Sequence, residues 1–279
     1  MKHSAPRQGS TPIKEMNWIK ENLDSDDVIV VDCRYNLMDT SYGRSQYLKS
    51  HIKGAYFMDL LEDLTGPITT HGGRHPLPDM MEFAEKMKSM GVTPTSTVIS
   101  YDDNWSGAAR LYFLLHYCGF RNAYVMNGLF QNWVDMGFPV STRIPKTRNG
   151  NFSPILQRDL VMTMNEVKGM PSGIDIVDCR TSDRYRGENE NIDPVAGHIP
   201  GAVNRPFVDS VHASGYRSPE ELSGIFSGIS DRAILYCGSG VTACVNFIAM
   251  RAAGKNPVLY PGSWSDWISY RDNPVESQV

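Results

Sequence analysis

Ala233-Ile234-Leu235-Tyr236-Cys237-Gly238-Ser239-Gly240-Val241-Thr242-Ala243 sets the reading of this chain. Ala233 to Tyr236 is a short apolar run of the kind that forms a buried strand. Gly238 to Ala243 is a loop of small residues, and Cys244-Val245-Asn246-Phe247-Ile248-Ala249-Met250-Arg251 then reads as a helix. Cys237 therefore stands between the carboxyl end of a strand and the N-terminus of a helix. Loop N–H groups and the helix dipole both favour negative charge at such a point. Glycines let the backbone curl close to an anion. The thiolate is the nucleophilic form of cysteine, so the stretch reads as a reactive cysteine. A buried structural cysteine is the plainer reading, but it gives no reason for a Gly-Ser-Gly turn at positions 238–240.

Working outward, the chain repeats itself. Ile29-Val30-Val31-Asp32-Cys33-Arg34 returns as Asp175-Ile176-Val177-Asp178-Cys179-Arg180, and His51-Ile52-Lys53-Gly54-Ala55 as His198-Ile199-Pro200-Gly201-Ala202. Val98-Ile99-Ser100-Tyr101 returns as Ala233-Ile234-Leu235-Tyr236, and Gly128-Leu129-Phe130-Gln131-Asn132-Trp133 as Gly262-Ser263-Trp264-Ser265-Asp266-Trp267. The four offsets are 146, 147, 135 and 134 residues, so the order is kept and the second copy is shorter by 12 between the second and third motifs. The longer first copy has room there for Gly72-Gly73-Arg74-His75-Pro76-Leu77-Pro78. Two units of about 140 residues follow, an ordinary domain size, with the polar stretch from Ser141 to Pro154 as the linker. The expected bounds are 1–145 and 155–279.

In the first unit, Val28–Val31, Thr97–Tyr101 and Ala123–Met126 read as strands. Asp79–Met90, Gly107–Cys118 and Leu129–Met136 read as helices. Short apolar strands alternating with helices predict an α/β fold with a buried parallel sheet, helices on both faces, and a site beyond the carboxyl ends of the strands. The repeat also supplies an internal control. The position matching Cys237 is Asp102, followed by Asp103-Asn104-Trp105-Ser106-Gly107. A carboxylate is no sulfur nucleophile, so the first unit is expected to be catalytically inactive, to cover the cleft and to lend it polar groups.

Composition narrows the classes. The 279 residues are 41% hydrophobic and 21% charged, as in a globular protein, and the formal net charge of −4 has no basic tract that would hold nucleic acid or an anionic membrane. No apolar stretch approaches the roughly 20 residues that span a bilayer, and Met1 to Glu15 lacks the apolar core of a signal peptide. Cys33, Cys118, Cys179, Cys237 and Cys244 are odd in number and form no C-x-x-C pair. That spacing argues against a disulfide framework or a zinc site and for a reducing cytoplasm.

Across nearly its whole length the chain resembles the tandem rhodanese-type sulfurtransferases. The motifs that carry the resemblance are Val177-Asp178-Cys179-Arg180, Gly197-His198-Ile199-Pro200-Gly201-Ala202, the Cys237–Ala243 loop and Gly262-Ser263-Trp264-Ser265-Asp266-Trp267. The resemblance implies two rhodanese-like domains, with the C-terminal cysteine carrying a sulfane sulfur as a covalent persulfide and no cofactor. A small-molecule donor supplies the sulfur. Cyanide, a small thiol or a thioredoxin-like dithiol accepts it. The loop C-G-S-G-V-T looks like the 3-mercaptopyruvate branch, whereas the thiosulfate branch usually has cations where Gly238 and Ser239 stand. Thiosulfate loses sulfite, which needs positive charge and no proton. Mercaptopyruvate loses the enolate of pyruvate, which gains from a proton donor. The resemblance therefore gives Ser239 a catalytic role beside Cys237. It puts Arg184, Gly238, Gly240, Val241, Thr242 and His75 around the substrate. The animal mercaptopyruvate enzymes carry a further arginine nine positions beyond the one matching Arg184. Asp193 stands there in this chain, and Arg186 is the candidate substitute. An acidic residue common in the family is replaced by Leu61, leaving Asp59, Glu62 or Asp63.

Other readings stand beside these. Asp32 and Asp178 are expected to bind loop N–H groups, with Arg34 and Arg180 as their partners. His51 and His198 occur in both units and so read as structural. Trp133, Trp267, Cys33, Cys179 and Cys244 read as packed. A phosphatase or arsenate reductase also uses a cysteine loop, but it needs an arginine where Ala243 closes this one. A non-catalytic sulfur carrier or redox-sensing module remains the third class. A monomer suffices, because the two units build the cleft in one chain.

Overall fold

The computed structural model describes residues 11–170 and 173–278. The first ten residues of the stretch read as free of a signal peptide, and of the 1–145 unit, lie outside the described residues.

Five strands make the first sheet: β1 (Ile13–Lys14), β2 (Val28–Asp32), β3 (Tyr56–Phe57), β4 (Thr97–Tyr101) and β5 (Ala123–Met126). They lie in the order β1-β5-β4-β2-β3, every pair parallel. The second sheet is β6 (Ile176–Asp178), β7 (Val203–Asn204), β8 (Ile234–Tyr236) and β9 (Val258–Leu259), in the order β9-β8-β6-β7 and again wholly parallel. The two orders superimpose once the edge strand β1 is removed, so the repeat in sequence is a repeat in topology. The central strands are buried on both faces, which is why they read as unbroken apolar runs rather than alternating ones. Register repeats as well: Asp32 lies beside Tyr101, and Asp178 beside Tyr236.

The strand-end aspartates do what was expected of them. Asp32 accepts from the Arg34 backbone N–H at 3.0 Å and from the Arg34 guanidinium at 2.6 Å, and Arg34 reaches on to the Ser50 carbonyl. Asp178 and Arg180 repeat this, with Gly197 in place of Ser50. Both aspartates and both arginines are buried, so each charge has its counter-ion beside it. His51 and His198 hold the Tyr47 and Tyr185 carbonyl groups in matching positions.

Helix α1 (Met80–Ser89) starts where the Asp79 side chain accepts from the Met81 and Glu82 N–H groups. Helices α2 (Ser106–Tyr117) and α3 (Ala243–Ala252) are buried along nearly their whole length. They pack on one another between the two sheets, with the Phe113 and Phe247 rings edge to face at 5.1 Å. One apolar core therefore runs from Val98 and Leu111 in the first half to Val177 and Ile248 in the second. The stretch 141–154, expected as a plain linker, is tied down. Arg148 and Gly150 donate to the Ser89 and Lys88 carbonyl groups at 2.8 Å, and Phe152 is buried against Phe83 and Phe120.

Candidate active site

Cys237 follows β8 directly, at the carboxyl edge of the second sheet. Its backbone is held on both sides. Its N–H donates to Ser263 Oγ at 3.1 Å, and its carbonyl accepts from the Trp264 N–H at 3.0 Å. Ser265 N–H fixes the Gly238 carbonyl at 2.9 Å. The loop then turns back at Gly240, whose φ is +76°, and the Gly240 N–H donates to Cys237 Sγ at 3.1 Å. A Cβ on Gly240 would lie 2.1 Å from the Pro261 carbonyl oxygen, so both the space and the backbone angle require glycine. Val241 is buried in the shared core, and Thr242 precedes α3 with its hydroxyl capping nothing.

The first half has the same loop with a different occupant. Trp105 stands 135 residues before Gly240, as Asp102 does before Cys237. Trp105 has φ +73°, and its N–H points at the Asp102 carboxylate at 2.8 Å. Asn104 and Ala108 N–H groups add bonds of 3.3 and 2.8 Å. This backbone form is thus a nest for an anion, filled by a carboxylate in one half and by sulfur in the other. Burial pushes the Asp102 carboxyl up to about 7, against the pull of those three N–H groups.

The first half also supplies side chains to the second. Residues 71–75 lie over the short helix Ser263–Trp267 that follows β9: Gly72 N–H donates to Asp266 and Arg74 N–H to Ser265 Oγ. His75 Nδ1 is 2.7 Å from Ser239 Oγ, with both residues buried. Burial, then Arg110 and Arg74, lower the His75 imidazole to about 4, so it is neutral at ordinary pH. Arg110, fully buried on α2, donates to the carbonyl groups of Gly240 at 3.2 Å, His75 at 3.0 Å and Pro76 at 3.1 Å. One guanidinium so ties the cysteine loop to the histidine segment. Burial lowers its proton affinity, and Cys244 and Cys237 oppose that; it stays charged.

An ionic cluster closes the other side. Arg184 Nε and Nη2 meet Glu190 at 2.9 and 2.8 Å, and Nη2 meets Asp193 at 3.0 Å. Asp193 also pairs with Arg74 from the first half. Both guanidiniums face Gly238: a Cβ there would lie 3.0 Å from Arg74 Nη2 and 3.4 Å from Arg184 Nη1. Arg180 reaches Glu190 at 3.3 Å.

Cys237, Ser239, Gly238, Gly240, Val241, Thr242, His75 and Arg184 are thus brought to one place. Arg186 is not. It pairs with the exposed Glu188 at 2.7 Å, and no hydrogen bond among the described residues joins it to the loop. Asp59 is held in its own turn, accepting from Leu61 and Glu62, while Asp63 accepts from the Asp59 N–H and pairs with Lys86 at 2.8 Å. No hydrogen bond among the described residues links Asp59, Glu62 or Asp63 to His75. Sequence reading passed over Arg110, Ser263 and the Arg74–Asp193 pair. Only Arg110 carries a signal, a charged residue in an otherwise apolar helix. The five cysteines are free and buried, and Cys244 donates to the Gly240 carbonyl rather than bonding Cys237.

A strand-end cysteine in a glycine nest, on one of two matching parallel sheets, is the setting of a protein with a sulfur nucleophile, and comparison with known proteins gives its class. A family model of the rhodanese-like domain matches residues 15–136 and 163–270. A probable 3-mercaptopyruvate sulfurtransferase of Pseudomonas aeruginosa is 41% identical over 266 residues, covering 91% of this chain and 93% of that protein. The thiosulfate sulfurtransferase of Rattus norvegicus is 33% identical over 282 residues, covering 94% and 93%. Among solved structures, the 3-mercaptopyruvate sulfurtransferase from Leishmania major superimposes with a TM-score of 0.82 at 29% identity, covering 96% of this chain and 77% of that one. The chain belongs to the rhodanese family, and it is a sulfurtransferase. Among the described residues no helix is long and apolar enough to cross a membrane, and no group of His, Cys, Asp or Glu could hold a metal ion.

Proposed function

We propose that the protein moves a sulfane sulfur from 3-mercaptopyruvate to a thiol acceptor through a persulfide on Cys237. The Cys237 thiolate attacks the donor's sulfur, the carbon–sulfur bond breaks, and its electron pair leaves as the enolate of pyruvate. Ser239 supplies the proton that the enolate takes up and is re-protonated through His75. An acceptor thiolate then attacks the outer sulfur, and Cys237 departs as thiolate. The Gly240 N–H stabilises charge on Cys237 at both ends of the cycle. Gly238, Val241 and Thr242 form the floor, and Arg184 takes the donor's carboxylate.

The observation that carries this donor is the hydrogen bond between Ser239 Oγ and His75 Nδ1 at 2.7 Å. Leaving sulfite needs no proton, whereas leaving enolate does. Thiosulfate is the second reading, favoured by the two guanidiniums that face Gly238. Residues 1–145 are on this view the inactive unit, with Asp102 in the nest, and residues 155–279 the catalytic one. A monomer suffices, because His75 and Arg74 reach Ser239 and Asp193 within one chain. Five free cysteines support a reducing cytoplasm as the compartment.

Two measurements test the proposal. After exposure to mercaptopyruvate, the intact protein gains the mass of one sulfur atom, and Cys237→Ser does not. The ratio of kcat/KM for mercaptopyruvate to that for thiosulfate exceeds one. A wild-type protein that never carries the added sulfur removes the persulfide, and a ratio below one hands the donor's place to thiosulfate.

A further inference from the structure

The loop that holds Cys237 has no cation of its own, yet two guanidiniums stand over Gly238. One, Arg184, comes from the second half. The other, Arg74, crosses from the first. Their far edges are occupied. Arg184 gives Nε and Nη2 to Glu190 and Nη2 also to Asp193, while Arg74 gives Nη1 to the other Asp193 oxygen. Asp193 therefore bridges the two arginines, one oxygen to each. It is buried, its side chain only 2% exposed, whereas the Arg74 side chain is 32% exposed. What remains free of these carboxylates is Arg74 Nη2 and Arg184 Nη1, the atoms 3.0 and 3.4 Å from a Cβ built on Gly238. Glycine at 238 lets both guanidiniums come this close to the cysteine loop, since a Cβ there would press on Arg74 Nη2. The two positive charges are matched by the two carboxylates, so the cluster offers directed N–H groups with no excess charge.

We propose that Arg74 is the second arm of the donor's carboxylate clamp, paired with Arg184, and that Asp193 is the positioning residue that sets the two arms apart and makes the clamp selective for a monoanion. The proposal rests on the mercaptopyruvate reading above. A neutral cluster suits a carboxylate of charge −1, which needs aimed hydrogen bonds. A dianion such as thiosulfate gains more from net positive charge. Arg74 thus brings the first half of the chain into donor recognition, and Asp193 sets the preference between donors.

The test combines Arg74→Gln, Arg74→Lys and Asp193→Asn. Losing one charge-assisted hydrogen bond raises the KM for mercaptopyruvate in Arg74→Gln by about tenfold to a hundredfold, while kcat stays within about twofold because the arm holds the carboxylate and not the reacting sulfur. Arg74→Lys falls between that variant and the wild type. Asp193→Asn, with one negative charge fewer, shifts the kcat/KM ratio toward thiosulfate. Calorimetric titration of 3-mercaptopyruvate into Cys237→Ser, with and without Arg74→Gln, reads the same loss as a weaker Kd with no chemistry involved. An Arg74→Gln protein whose KM and Kd stay within twofold overturns the clamp, whatever happens to its Tm. An Asp193→Asn protein with an unchanged donor ratio overturns the selectivity. If the wild type takes no sulfur from mercaptopyruvate, the donor reading fails separately. Arg74→Gln must then raise the KM for thiosulfate, and an unchanged value overturns the clamp.

Discussion

His75 has its Nδ1 on Ser239 and its carbonyl on Arg110, in a pocket where burial and two guanidiniums oppose protonation. A histidine free in solution titrates near 6.5, and this one near 4. Between those values the unfolded chain binds a proton that the folded chain refuses. The stability tied to His75 is therefore complete above pH 6.5 and declines as pH falls toward 4. The same neutral ring sets the activity profile. kcat/KM for mercaptopyruvate shows no acid limb at 6.5 and changes only as pH approaches 4, where the ring that returns the proton to Ser239 becomes charged. An acid limb centred on 6.5 that disappears in His75→Ala is the result that contradicts this. Substituting His75 by Ala also removes its share of the stability loss below pH 6.5, read as a shallower fall of Tm with acid.

At the scale of elements, the strand–loop–helix unit works because one amide points inward. Gly240→Ala places a Cβ 2.1 Å from the Pro261 carbonyl and asks alanine to hold φ +76°. The left-handed conformation alone costs a non-glycine residue about 1–2 kcal/mol. The loop must shift, and the N–H bond to Cys237 Sγ goes with it. The expected result is a protein that folds with a lower Tm and forms the persulfide roughly a hundredfold more slowly, the usual scale for losing one such donor. Stopped-flow loading with mercaptopyruvate decides it, and an unchanged loading rate would show that the amide contributes nothing. This unit was readable in the sequence, because everything in it is local. Val28–Val31, Thr97–Tyr101 and Ala123–Met126 gave strands to within a residue, and Gly107–Cys118 a helix displaced by one. The twin Asp102 and Cys237 loops could be aligned by counting. Arg110 and the Arg74–Asp193 bridge could not, because their partners are set by how two sheets dock across α2 and α3, and no periodicity records that. Ser263 could not, because its bond to the Cys237 N–H joins the segments after β8 and β9, which are far apart in the chain. Arg186 misled for a local reason: two residues from Arg184 on a short helix, it faces Glu188 and the surface.

The whole molecule is two matching sheets sharing one core, and that sharing has a thermodynamic consequence. Helices α2 and α3 bury their facing sides in each other, so neither half can unfold without exposing apolar surface of its neighbour. Fully buried Arg110 strengthens the coupling: opening the interface would separate its guanidinium from the Gly240 carbonyl and leave buried donors unmet. Two tethered domains with a thin polar interface would melt separately, whereas this arrangement predicts a single cooperative transition. Native-state hydrogen exchange in rising urea tests it, because the amides of β4 in the first half and β8 in the second must become exchangeable with the same midpoint. Phe113→Ala sharpens the test. Phe113 is fully buried and meets Phe247 edge to face at 5.1 Å, so its removal leaves a cavity in the interface itself. The expected cost is about 3–5 kcal/mol, drawn equally from both halves, with one transition moved to lower urea. If β4 loses protection while β8 keeps its own midpoint, the halves are independent. The clamp formed by Arg74 and Arg184 would then depend on a docking equilibrium rather than on a single folded state.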